Sequence, residues 1–178
     1  MISVELVVSL KIPDVTALTA ANAIRRRLGY EEALESLDRA EYYLLELDVG
    51  DRAEAEELAR DLAENTNLFV NPNKHAYEIR LPEDRSPDAR DDGAWIVNVL
   101  VTNPEDASAE GIVAALRDRH GYASVVEAKT GLLWTMRLNA EDEKQAREIA
   151  EDITVTRSQS HGLLMNPHFQ EYEVWMGA

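Results

Sequence analysis

Apolar positions near the start of the chain follow a strand-like spacing and then a helical one. Residues 2–10 are rich in Val, Leu and Ile with polar breaks between them, which predicts a strand with one more deeply buried face. Residues 16–28 place small and apolar side chains at helical spacing, and Gly29 follows as a C-terminal stop. Arg25 to Arg27 close this helix, where cations complement the negative end of its dipole. A contact with an anion or an acidic partner is the alternative explanation of this basic run.

The next segment predicts a hairpin, a second helix and a last strand. Residues 32–49 have the pattern of two strands joined by a turn at residues 38–41. Asp51 opens an amphipathic helix with an acidic outer face, and an alternating strand at residues 76–81 follows Asn71-Pro72. The predicted order is therefore β-α-β-β-α-β.

The second half of the chain repeats this order. It predicts a strand at 95–102, a helix at 108–119, a hairpin at 123–139, a helix at 140–153 and a strand at 170–176. Residues 4–10 align with 96–102 and residues 28–30 with 120–122, both at an offset of 92. The offset becomes 91 in the second helix and 95 at the two Asn-Pro pairs, because small insertions have accumulated in loops. The chain is therefore predicted to be a tandem duplication.

A charged and polar segment separates the two copies. We predict a first repeat at 1–81, a linker at 82–93 and a second repeat at 94–178. A unit of about 85 residues is small for a core of its own, so the two copies are expected to pack together.

Composition narrows the classes of function. The 34 acidic and 18 basic residues give a net charge of −16, which opposes binding to nucleic acid or to an anionic membrane surface. The absence of cysteine fits a reducing compartment, and no apolar run of about 18 residues is present. We therefore predict a cytoplasmic protein that spans no membrane.

Residues with catalytic or metal-binding chemistry are few and scattered. His75, His120, His161 and His168 lack the close spacing of a metal site, and Ser158 and Ser160 beside His161 lack the Gly-x-Ser-x-Gly elbow of a nucleophile. Carboxylates concentrate on outer helix faces, and no glycine-rich phosphate loop occurs. No catalytic residue, cofactor or metal is predicted, and the pattern favours a binding or assembly role.

The order and spacing of these elements resemble the PurS family, the small subunit of phosphoribosylformylglycinamidine (FGAM) synthase in purine biosynthesis. The resemblance rests on the opening strand at 4–11, the Leu28-Gly29-Tyr30 helix end, the hairpin, the acidic second helix, and the ending from Asn71-Pro72 to Tyr77-Glu78-Ile79. It covers nearly all of both copies apart from the linker. The resemblance implies an α+β protein of two tandem β-α-β-β-α-β, ferredoxin-like repeats with antiparallel sheets, that is, a fused PurS pair.

Members of that family are not catalysts; they are dimers that bridge a glutaminase subunit and an ATP-dependent synthetase subunit, here PurQ-like and PurL-like partners. The resemblance implies the same bridging role for this chain, and we also expect it to form a homodimer. Two departures stand out: Val15-Thr16 replaces the family's glycine before the first helix, and a basic Gly-Lys turn is kept only as Lys129-Thr130-Gly131. The implied partner contacts are Asn71, Pro72, Tyr77, Lys129, Gly131, Asn166, Pro167 and Tyr172.

Two alternatives stay open. The Asn-Pro pairs also fit a purely structural role, because proline disfavours helix at the preceding residue and releases the chain into a strand. Tandem β-α-β-β-α-β modules also build small-molecule sensors, which would be stabilised thermally by an amino acid or a nucleotide.

Overall fold

The computed structural model describes residues 1–86, 88–157 and 162–177. Helices and strands occupy the predicted parts of the sequence in both copies, and a 3-10 turn at Pro82–Asp84 follows the first copy. In the first copy the elements are β1 Ile2–Leu10, α1 Val15–Leu28, β2 Leu34–Leu47, α2 Arg52–Asn65 and β3 His75–Arg80, and from residue 90 onward they are β4 Arg90–Asp91, β5 Ala94–Thr102, α3 Ser108–Asp118, β6 Val125–Leu138, α4 Glu143–Thr154 and β7 Glu171–Met176.

The two predicted hairpins are absent from the described residues, and in this respect the sequence prediction was wrong. Each copy instead has one continuous strand of 14 residues, β2 and β6. Tight hairpin turns need residues with positive φ. Residues 38–41 contain no glycine or asparagine, and Gly131 is not among the glycines with positive φ.

Two compact units divide the chain. The first contains Met1–Ile12, Ala40–Arg85 and Glu105–Gly131, and the second contains Pro13–Arg39, Ser86–Pro104 and the part of Leu132–Ala178 that is described. The first half of each long strand therefore belongs to a different unit from its second half. The boundaries proposed from the repeat (1–81, 82–93 and 94–178) describe sequence likeness rather than contacts, and they stay a prediction.

Each unit assembles the elements of one β-α-β-β-α-β fold from both copies. In the first unit the strand order is β3-β1-β2-β6, with β1 antiparallel to both β2 and β3, and with α2 and α3 as its helices. In the second unit the order is β2-β6-β5-β4, and β7 also pairs with β5 in antiparallel register. The predicted α+β class with antiparallel sheets and two such units is confirmed.

The core of the first unit mixes side chains of the two copies. Val4, Leu6 and Val8 of β1 pack with Leu45 and Leu47 of β2 and with the apolar face of α2. The second copy contributes Leu116 from α3 and Val125 and Ala128 from β6 to the same cluster.

The core of the second unit has the reciprocal composition. Ala17, Ala21 and Ile24 of α1 and Leu34 and Leu37 of β2 come from the first copy. They pack with Val97, Val99, Val101, Met136, Leu138, Ala146, Ala150 and Ile153 of the second copy. The expectation that the two copies pack together is confirmed, since neither copy completes a core by itself.

The two cores correct the alignment of the first strands. Val4, Leu6 and Val8 face one core, and Val97, Val99 and Val101 face the other, which is an offset of 93. The offset of 92 was wrong by one residue, and a slip of one residue in a strand exchanges its two faces. At the corrected offset, Glu5 corresponds to Asn98, and both side chains are buried.

Each unit contains one hydrogen bond from a tyrosine to an aspartate, and the two bonds involve corresponding positions of the two copies. In the first unit, Tyr122 Oη donates to Asp61 Oδ2 at 2.6 Å. In the second unit, Tyr30 Oη donates to Asp152 Oδ2. Burial and then this hydrogen bond raise the pKa of Tyr30 to about 12. Each hydrogen bond joins a tyrosine of one copy to a carboxylate of the other. Polar contacts therefore link the two copies, as the apolar cores do.

Candidate partner-binding surface

The first Asn-Pro turn is held by four hydrogen bonds around Asn71. Its carbonyl oxygen accepts from the backbone N–H groups of Lys74 and His75 at 2.9 and 2.8 Å. Its side-chain Oδ1 accepts from the N–H of Asn73 at 3.0 Å, and its own N–H donates to His75 Nδ1 at 3.2 Å. Asn71 therefore builds the turn that leads into β3.

The second Asn-Pro turn repeats this set of hydrogen bonds. The Asn166 carbonyl accepts from Phe169 and Gln170 at 3.2 and 3.0 Å, and Asn166 Oδ1 accepts from the N–H of His168 at 3.0 Å. The Asn166 N–H donates to Gln170 Oε1 at 2.9 Å, so Gln170 takes the place of His75. The asparagines make hydrogen bonds within both turns, while Pro72 and Pro167 are exposed.

A groove lies beside the first turn in the first unit. It has a volume of about 360 Å³ and is lined in part by Lys11, Pro72, His75 and Tyr77. Lys11 Nζ donates to the Pro72 carbonyl at 2.7 Å, which ties the turn to the end of β1. Of the predicted contacts, Pro72 and Tyr77 line this groove together, whereas Lys129 and Gly131 do not.

The two tyrosines that follow the turns have different environments. Tyr77 is half-buried, and its Oη donates to Glu64 Oε1 at 2.5 Å. This hydrogen bond, and then burial, raise the pKa of Tyr77 above its usual value. Tyr172 lies on β7 and is 37% exposed. The position that corresponds to Glu64 at the helix offset of 91 is Val155, which provides no carboxylate.

Lys129 and Gly131 lie within β6, on the half of that strand that belongs to the first unit. The Lys129 side chain is 66% exposed and its Nζ lies 3.9 Å from Glu127 Oε1. Thr130, between them, donates through Oγ1 to Asp106 Oδ2 at 3.2 Å. These residues are accessible strand positions rather than parts of a turn.

An exposed aromatic residue was missed by the sequence analysis. Phe169 occupies the position in the second turn that Lys74 occupies in the first, and it is 65% exposed. Its ring lies 6.3 Å from that of His168. Aligning the two turns on their shared Asn-Pro pairs would have shown that Phe169 stands where the first turn has Lys74.

A buried ionic cluster in the first unit was also missed. The Glu5 carboxylate has no exposed surface; Oε2 accepts from Arg80 Nε at 2.7 Å, and Oε1 accepts from Arg85 Nη2 at 2.5 Å and from Tyr42 Oη at 2.8 Å. Burial acts to raise the pKa of Glu5, but hydrogen bonds from Arg85, Tyr42 and Arg80 outweigh it and leave this pKa below its usual value. The signal in the sequence was a single carboxylate inside an apolar strand. In the second copy, Asn98 accepts from Thr135 Oγ1 at 2.7 Å instead.

The remaining candidate residues are not gathered into a metal-binding cluster in the described part of the chain. Among those residues, no group of three or more His, Asp or Glu is arranged to hold a metal. His161, Ser158 and Ser160 lie outside the described residues, as does Gln159. The Arg25 guanidinium donates to the backbone carbonyls of Leu34 and Glu35. This arginine of the basic run therefore has a role in local structure.

No helix among the described residues is long and apolar enough to cross a membrane.

Comparison with known proteins gives one family. Residues 3–83 match the PurS family model, described as phosphoribosylformylglycinamidine (FGAM) synthase. The match covers the first copy and stops within the predicted linker. A search of curated proteins gives no match to this chain.

Proposed function

We propose, from the premise that residues 3–83 form a domain of the PurS family, that this chain is a non-catalytic subunit of the FGAM synthase complex. In this proposal it acts in the cytoplasm and bridges a glutaminase subunit and an ATP-dependent synthetase subunit in purine biosynthesis. The chain supplies no reacting group; it contributes surface that holds the two enzymes together.

The observation that carries this proposal is the exchange of elements between the two copies. Each β-α-β-β-α-β unit takes helices and strands from both copies, and each core contains side chains of both. The resemblance implies that single-copy members are dimers. We propose that the repeats at 1–81 and 94–178, joined by the linker at 82–93, correspond to the two subunits of such a dimer. Fusion makes their association intramolecular, with an effective concentration in the millimolar range.

We propose that the partner surface includes the exposed groups beside the two turns. Pro72 and Pro167 present exposed rings on hydrogen-bonded turns, and a preorganised turn loses little conformational entropy on binding. Tyr172 and Lys129 add an exposed aromatic ring and an exposed cation in a chain of net charge −16. The asparagines belong to this surface as residues that position it.

The test is glutamine-dependent formation of FGAM by the glutaminase and synthetase subunits of the same organism, with and without this chain. Activity that requires the chain, together with co-elution of the three proteins, would support the proposal. Unchanged activity and separate elution would contradict it. In that case a melting shift caused by an amino acid or a nucleotide, with no protein partner, would favour the sensor function.

Variants separate contact from structure within the same assay. Pro167→Ala and Tyr172→Ala are expected to weaken co-elution while leaving the melting temperature nearly unchanged, because both side chains are exposed. Asn166→Ala is the matched structural control, since it removes the hydrogen bond from the His168 N–H to the side chain. For Asn166→Ala, a lower melting temperature and weaker co-elution are expected to appear together.

A further inference from the structure

The outer faces of the two duplicated first helices have diverged to opposite chemistry. The buried residues Ile24 and Leu116 correspond at an offset of 92, which fixes the alignment of α1 with α3. At this offset the outward positions Val15, Leu18, Asn22 and Arg26 of α1 correspond to Ala107, Glu110, Ala114 and Asp118, and all eight are exposed. One face is apolar and basic, and the other is small and acidic.

The α1 stripe, defined as Val15, Leu18, Asn22 and Arg26, projects two apolar side chains from the surface. Val15 is 73% exposed and Leu18 is 53% exposed, and they are one helical turn apart. The stripe extends over about 16 Å at 1.5 Å per residue. Arg26 ends it, and Arg27 points to a different side of the helix because successive residues are about 100° apart.

The α3 groove, in the first unit, has the complementary shape and charge. It has a volume of about 370 Å³, and its apolar lining consists of alanine and valine side chains: Ala109, Val113, Ala114, Val126 and Ala128. Three carboxylates (Glu110, Asp118 and Glu127) and one arginine, Arg117, also line it. Small side chains leave space for the branched chains of Val15 and Leu18, and the excess of carboxylates suits an arginine.

We propose that the α1 stripe of one protomer packs antiparallel in the α3 groove of a second copy of this chain. The antiparallel direction places Arg26, at the C-terminal end of α1, beside Glu110 in the first turn of α3. It also brings helix ends of opposite partial charge together. Each chain carries both the stripe and the groove, so any two copies can make this contact. In a chain with a net charge of −16, a local basic face is what permits association of two copies.

A charge exchange tests this contact by sedimentation equilibrium of the full chain over a concentration series. Arg26→Glu and Glu110→Arg should each raise the dimer dissociation constant by about tenfold or more, because each places like charges opposite one another. The double variant should return the constant to within about threefold of the wild type, because it restores opposite charges. Added salt should weaken the wild-type dimer.

Matched controls carry the same change of charge away from the contact. Arg27→Glu lies beside Arg26 but off the stripe, and Glu148→Arg lies on α4; both should leave the dissociation constant unchanged. Unchanged circular dichroism and melting would show that each variant is folded. A monomeric wild type, failure of the double variant to restore the dimer, or equal effects of the controls would each overturn the proposal. Loss of co-elution with the two enzyme subunits without any change in the chain's own mass would overturn it too, since the stripe would then bind another protein.

Discussion

Replacing Glu5 with glutamine is expected to destabilise the first unit by about 3 kcal/mol. Glu5 is fully buried in β1 and accepts hydrogen bonds from two arginines and a tyrosine. Glutamine keeps the shape of the side chain but removes its negative charge. Its NH2 group is a hydrogen-bond donor, and it would face guanidinium groups that are also donors.

The magnitude follows from the burial of the three charges. Removing one partner of a buried ion pair costs about 3–5 kcal/mol, because an uncompensated charge stays behind. The side chains of Arg80 and Arg85 retain 13% and 20% of their exposure, so water relieves part of this cost and the lower end applies. For a chain of this length, about 3 kcal/mol corresponds to a fall in melting temperature of roughly 6–12 °C.

The assay is urea unfolding followed by far-ultraviolet circular dichroism at neutral pH. The three tryptophans, Trp95, Trp134 and Trp175, all belong to the second unit, so their fluorescence before urea is added shows whether that unit is native in the variant. Glu78→Gln on the exposed side of β3 is the matched control and should stay within about 0.5 kcal/mol of the wild type. A cost below about 1 kcal/mol for Glu5→Gln would refute the assigned role of the buried charge.

The same variant has a defined dependence on pH. The pKa of Glu5 is lowered in the folded state, so its contribution is fully present above the unfolded value of 4.5 and is lost as the pH falls through the folded pKa. The difference in stability between wild type and Glu5→Gln should be constant above about pH 5 and should shrink below pH 4.5. A difference that grows in acid would contradict the sign of this shift.

Three further perturbations test other parts of the fold. Tyr30→Phe should cost about 1.5–3 kcal/mol by urea unfolding, because it removes a hydrogen bond to the Asp152 carboxylate, whereas the exposed Tyr172→Phe should be close to neutral. Asp142→Ala should cost about 1 kcal/mol, because Asp142 caps α4 by accepting from the Gln145 N–H at 2.8 Å; a loss below the error of the measurement would contradict this. Residues 1–86 expressed alone should sediment as a folded homodimer, because one copy supplies only part of each unit, and a folded monomer would show that the exchange is dispensable.

The sequence by itself predicted the duplication, and it determined the class of fold and the approximate positions of the helices. The start of α2 was predicted at Asp51, which accepts from the N–H of Glu54 as a capping residue does. The α1 stop was readable because Gly29 has a φ of +82°, which glycine tolerates best. These signals act within a few residues and therefore survive in the local pattern.

Only the tertiary structure decided how the copies share their elements. Alternation of apolar residues is the same in a hairpin and in one long strand, so the pattern around residues 38–41 did not distinguish them. Whether a hairpin or one long strand forms depends on contacts between residues far apart in the chain. Leu116 of the second copy packs in the core of the first unit, and Leu37 of the first copy packs in the core of the second. The buried role of Glu5 was hidden for the same reason: its partners Arg80 and Arg85 lie 75 and 80 residues away, and no local spacing brings them together.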